Sequence, residues 1–176
     1  MWSVEELQDQ PVIRALATFD DFYRREFPAV VGLAYALSGN RWVAEDLAQE
    51  SFLVAHREWE RVGAYEDPGA WVRRVVTNFA VSAFRRRVIE AKALARLALG
   101  QVWVLPDLEP PDERFWRAVR SLPRRQSQVV TLHYLEDRPV SEIADILGMA
   151  PGTVKKHLYD GRQTLARLLE TEEDQP

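Results

Sequence analysis

Ala144, Gly148 and Val154 stand at intervals of four and six residues within Ser141–Val154, the spacing of a helix-turn-helix. Two helices that cross steeply need a small side chain where they touch, here Ala144. Their tight connection needs a residue tolerant of positive φ, here Gly148. An apolar anchor must lie between them, here Val154 with Ile143, Leu147 and Leu158. The helix that opens at Pro151 then turns Lys155, Lys156, Tyr159 and Arg162 outward. This basic and aromatic face suits a major groove, with the helix amino end aimed at phosphates or base edges. A solvated basic face on an ordinary helical corner is the alternative.

A second set of residues suits protein docking. On a helix over 43–59, Ala44, Leu47, Ala48, Ser51, Phe52, Ala55 and Trp59 share one broad side. Asp46, Gln49, Glu50, Leu53 and Arg57 form a narrow stripe nearly opposite. A leucine framed by acids, an amide and an arginine fits a partner's basic helices, with an apolar centre and a charged rim. A solvent face with one stray leucine is the competing reading. No histidine, serine and carboxylate constellation converges and no phosphate loop occurs, so an enzyme is disfavoured. His56 and His133 have no partners at metal spacing, and no cofactor is implied.

The 176 residues contain no cysteine, which excludes a disulfide scaffold, a thiolate zinc site and thiol catalysis. Acids stand at the start where a signal peptide needs bases, and no apolar run nears the ~18–20 residues of a membrane span. These features predict a cytoplasmic chain without membrane insertion. The net charge of −4 at first argues against nucleic acid, but its distribution reverses that. Residues 71–105 carry net +6 and residues 114–167 net +5, while 1–70 carry −7, 106–113 carry −4 and 168–176 carry −4. Local field, not the total, decides what a phosphate backbone meets.

The elements that must position these residues are helical throughout. Phe19 to Leu37 is apolar every three or four residues, with Pro28 expected to kink or divide it. Ser38-Gly39-Asn40 is a turn, and a helix is predicted from Trp42 to Arg61. Asp67-Pro68 starts another, an acidic N-cap with proline at the first helical position, running to Arg87 and weakly on to Gly100. Leu105–Asp112 holds three prolines and reads as an extended linker. Four short helices follow: Glu113–Ser121, Arg124–Leu135, Val140–Leu147, and one from Ala150-Pro151 to about Glu170. No convincing strand appears.

The run Ala44-Glu45-Asp46-Leu47-Ala48-Gln49-Glu50-Ser51-Phe52-Leu53-Val54-Ala55 resembles region 2.2 of the extracytoplasmic-function (group IV) sigma factors of bacterial RNA polymerase. Pro68-Gly69-Ala70-Trp71-Val72-Arg73-Arg74-Val75-Val76-Thr77-Asn78, with Arg85-Arg86-Arg87, is similar to their regions 2.3 and 2.4. Ser121–Leu165 resembles region 4. Region 4 alone would also suit a stand-alone LuxR-type regulator, but the strands that such a protein's second domain requires are missing. The resemblance implies an all-α protein of two small helical domains on a flexible, Pro-rich acidic linker. The expected boundaries are an extension over 1–18, region 2 over 19–100, the linker over 101–112, region 4 over 113–170 and an acidic tail over 171–176.

The implied activity is not enzymatic. It is promoter-directed transcription initiation with core RNA polymerase, under an anti-sigma factor. The resemblance assigns Asp46, Gln49, Glu50, Leu53 and Arg57 to the polymerase. It assigns Gly63, Tyr65 and Asp67, in the loop before the third long helix, to a base flipped from the −10 element. An unstacked base needs backbone freedom, an aromatic platform and hydrogen-bonding groups. Trp71, Arg74, Asn78 and Ser82 fall on the implied DNA side, with Arg73, Arg74, Arg85, Arg86 and Arg87 for phosphates. Thr153, Lys155, Lys156, His157, Tyr159 and Arg162 are the −35 set. Asp160 departs from the family, where a base is frequent; an acid there weakens phosphate binding or accepts from a cytosine.

Overall fold

The computed structural model describes residues 18–97 and 112–173, with side chains to residue 91 in the first stretch and to residue 170 in the second. The expected extension over 1–18 (save Thr18), most of the linker and the last tail residues lie outside the described residues. Among those described, every regular element is a helix.

The first unit holds α1 (Phe19–Ser38), α2 (Arg41–Arg57), α3 (Trp59–Val62) and α4 (Pro68–Leu97). Thr18 caps α1 by accepting the Asp21 amide at 3.2 Å, and Asp20 and Asp21 lie where the helix dipole favours acids. Pro28 stands inside α1, and of the kink or division expected there, the division does not occur. The lost amide donor is a local defect, whereas Val30, Leu33, Ala34 and Leu37 beyond it are all buried. Burial of that stripe holds the helix in one piece. Asn40 caps α2 through the Val43 amide at 3.0 Å.

The helix expected to reach Arg61 instead ends at Arg57, with the single turn α3 after Glu58. The break brings the Trp59 ring to 5.0 Å from Phe22. It thereby completes a cluster with Phe19, Tyr23, Phe27 and Phe52, in which Phe22 and Phe52 are buried. Asp67 caps α4 at the expected place, accepting the Ala70 amide at 3.0 Å.

The second unit holds α5 (Glu113–Ser121), α6 (Arg124–Leu135), α7 (Val140–Leu147) and α8 (Pro151–Glu173). The turn between α7 and α8 uses Gly148 at φ +62°, a left-handed conformation that costs a side chain about 1–2 kcal/mol. Ile143, Leu147, Val154 and Leu158 are all buried around it, as the spacing required. Helices α6 and α8 pack closely because Gly161 lacks a Cβ, which would lie 2.9 Å from a Val130 methyl.

The two units also pack on each other. Helices α5 and α6 contact α1, while α6 and α7 contact α4. Arg120 reaches back to the Ala36 carbonyl at 3.3 Å and is paired with Glu113. The sequence pattern predicted two units; their docking came only from the structure.

Candidate nucleic-acid interface

Helix α2 turns Ala44, Ala48, Ser51, Phe52 and Ala55 into the core. The opposite stripe, Asp46, Gln49, Glu50, Leu53 and Arg57, is exposed in full. Leu53 keeps 56% of its surface in solvent, and beside it a groove of about 380 Å³ is lined by Phe19, Tyr23, Gln49, Phe52 and His56. The structure therefore assembles the expected apolar spot with a charged rim.

The loop between α3 and α4 leaves Tyr65, Glu66 and Asp67 exposed, with Gly63 partly covered. Tyr65, Asp67, Trp71 and Arg74 line one wall of a cleft of about 460 Å³; Glu142, Asp145 and Ile146 of α7 form the other. Ser82 is exposed, with its hydroxyl donating to the Asn78 carbonyl at 2.7 Å. Arg85, Arg86 and Arg87 are exposed on the same helix.

Two expected DNA contacts are occupied from within. Arg73 is 5% exposed and donates to Glu26 of α1 at 2.8 Å and to Glu136 at 2.7 Å. Burial alone would pull its guanidinium below an arginine's usual value, but the hydrogen bonds and charges of the two carboxylates outweigh it and leave it raised. Burial likewise pushes Glu26 upward, and hydrogen bonds from Arg25 and Arg73 more than reverse it, leaving its carboxyl lowered. The Asn78 side-chain carbonyl accepts from Arg124 at 2.6 Å and from Gln128 at 3.0 Å. Arg124 itself is lowered by burial and by the charges of Arg125 and Arg85, the mark of a crowded cationic corner between α4 and α6.

On α8, Thr153, Lys155, Lys156, Tyr159 and Arg162 are exposed and His157 is partly covered. Asp160 pairs with Lys156 at 2.7 Å, so the atypical acid is engaged within its own helix. Arg162 donates to the Tyr134 hydroxyl at 2.8 Å and stands over that ring. Its Nη2 lies 3.1 Å from His133 Nε2.

Sequence reasoning missed Arg124, Gln128 and Glu136 as partners of α4. The one available signal was Gln128 beside Val129 and Val130, a polar residue in an apolar run that proves fully buried. Among the described residues no helix is long and apolar enough to cross a membrane.

Residues 22–88 match the family model of sigma-70 region 2, and residues 112–165 that of sigma-70 region 4. The chain is 32% identical over 168 residues to the ECF RNA polymerase sigma factor SigE of Mycolicibacterium smegmatis; the match covers 88% of this chain and 63% of that protein's length. It is 31% identical over 157 residues to the ECF sigma factor SigM of Mycobacterium tuberculosis, covering 86% of this chain and 76% of that one. Among solved structures, it is similar to the sigma factor RpoE of Bartonella quintana in complex with the anti-sigma factor NepR. That likeness has a TM-score of 0.65 and 25% identity, and covers 86% of this chain and 96% of that one. With both sigma regions in order on two helical units, the chain belongs to the extracytoplasmic-function sigma factors of RNA polymerase.

Proposed function

We propose that this chain binds core RNA polymerase through the α2 stripe and directs it to promoters. Asp46, Gln49, Glu50, Leu53 and Arg57 form the polymerase contact. The loop with Gly63, Tyr65 and Asp67, and the α4 residues Trp71, Arg74, Asn78 and Ser82, read the −10 element. Arg85, Arg86 and Arg87 hold phosphates, and Arg73, still paired with Glu26 of its own unit but released from Glu136, joins them when region 4 moves away. Thr153, Lys155, Lys156, His157, Tyr159 and Arg162 serve the −35 element. Region 2 spans 19–100 and region 4 spans 113–170. The protein acts as a specificity subunit and not as an enzyme, in the cytoplasm with the polymerase, and an anti-sigma factor controls it, as the complex of the similar RpoE with NepR suggests.

The observation that carries this reading is Leu53. A side chain 56% exposed, framed by the polar stripe on a helix whose other face is buried, is placed for a partner and not for the core. Reconstitution with core enzyme tests it. The wild type supports promoter-specific initiation and Leu53→Asp does not, with helicity unchanged. Equal initiation by the two proteins rejects the assignment.

A further inference from the structure

The face of α4 assigned above to DNA is covered by the chain's own helix-turn-helix unit, which presents acids to it. Glu136, at the end of α6, holds Arg73 at 2.7 Å. Glu142 and Asp145 of α7 stand across the cleft from Trp71 and Arg74. The Arg74 guanidinium lies against the α7–α8 turn so closely that a Cβ at Gly148 would come within 2.9 Å of it. Arg124 and Gln128 take the Asn78 carbonyl. Glu136 thus meets Arg73 where a DNA backbone would place a phosphate. Two further carboxylates face Arg74 across the cleft, Glu142 also being paired with Arg138 of its own unit at 2.7 Å, and side-chain donors fill the acceptor that a base would use.

We infer that the α6–α7 acids form an internal phosphate mimic that latches region 4 onto region 2 and masks the −10-reading face until the two units separate. The inference rests on the reading of α4 as that face. The polymerase stripe on α2 and the basic face of α8 remain exposed in the latched form. The chain can therefore meet polymerase first and expose its −10 reader second. The latch is built to release. Arg124 Nε and Glu136 Oε1 are buried with no hydrogen-bond partner among the described residues, so separation regains their hydration. Exposed Glu142 and Asp145 contribute charge that salt or a polyanion can screen.

The latch is tested by neutralising the mimic with Glu136→Gln, Glu142→Gln and Asp145→Asn together, none of which belongs to the DNA or polymerase sets. A control chain carries Glu60→Gln, Glu90→Gln and Glu170→Gln, three exposed carboxylates on α3, α4 and α8, and so has the same net charge. The chain has no cysteine, so Arg41→Cys and Gln163→Cys place one spin label on each unit for distance measurement, with circular dichroism verifying the helices. Unlabelled proteins are titrated against a fluorescein-tagged, random-sequence single-stranded 20-mer.

The wild type and the control give one dominant narrow label distance with at most about one molecule in ten at longer distances, and the mimic variant shifts to a broad, longer population. Apparent affinity is reduced by the open fraction, so a mimic variant that opens fully binds the 20-mer at least about tenfold more tightly than the control. A mimic variant that stays closed, or a wild type already spread over long distances, overturns the latch and leaves the reading of α4 intact. Opening with no gain in affinity over the control overturns the reading of α4 as a DNA face, and the masking with it.

Discussion

Leu53→Ala separates docking from folding. Leu53 is 56% exposed, so the folded chain has not yet gained most of its transfer free energy. Complete burial of a leucine side chain contributes about 1.5–3 kcal/mol, so sealing the exposed part against a partner contributes about 0.8–1.7 kcal/mol. At about 1.4 kcal/mol per factor of ten, Leu53→Ala weakens core polymerase binding roughly 4- to 15-fold. Its effect on folding is within about 0.5 kcal/mol, as for other surface substitutions. Phe52, the next residue, is 2% exposed and gives the reverse pattern. Phe52→Ala costs about 3–5 kcal/mol of stability through the lost burial and the cavity left behind. Competition binding to core enzyme, read beside thermal unfolding of the same preparations, resolves the two. Leu53→Ala with unchanged polymerase affinity, or with a melting loss like that of Phe52→Ala, refutes the assignment of α2's outer face.

Three further outcomes are expected. Gly148→Ala forces a Cβ into the left-handed region and toward Arg74, which costs at least about 1–2 kcal/mol and appears as a lower denaturation midpoint with an unchanged slope. Replacing Lys155 and Lys156 by alanine removes two exposed cations; if both contact phosphates, the slope of log affinity for −35 duplex against log salt flattens by about 1.8. Glu26 has a lowered carboxyl, so its stabilisation is present above the ordinary glutamate value of about 4.3 and is lost as pH falls through the lower folded value. Acid titration of stability therefore shows a limb below about pH 4.3 that Glu26→Gln removes.

How much the sequence disclosed depended on the range of the interaction. The caps at Asn40 and Asp67, the turn at Gly148 and the anchors Ile143, Leu147, Val154 and Leu158 are local in the chain, and residue type with helical period was enough to place each. The exposed stripe of α2 was legible for the same reason. Pro28 does not divide α1 because a proline acts locally, whereas the burial that holds the helix together comes from α2 and α4. The end of α2 at Arg57 was missed because Trp59 turns inward to meet Phe22, from a different helix. The docking of the two units was invisible for a deeper reason. Glu26, Arg73 and Glu136 are separated by 47 and 63 positions, and nothing about an isolated arginine or glutamate says which partner it finds. Charge blocks pointed to DNA, and one of their arginines, Arg73, proves to be paired internally with Glu26 and Glu136. The net −4 thus conceals basic blocks and acids from distant parts of the chain that pair with them.

The most direct test of the central claim is run-off transcription with cognate core enzyme on genomic fragments, with start sites mapped. The account predicts initiation at defined sites only when the chain is added, each preceded by shared −10 and −35 sequences, and loss of that initiation with Leu53→Asp. Tight binding to bare duplex DNA with no association with core polymerase, and no new start sites, would contradict it.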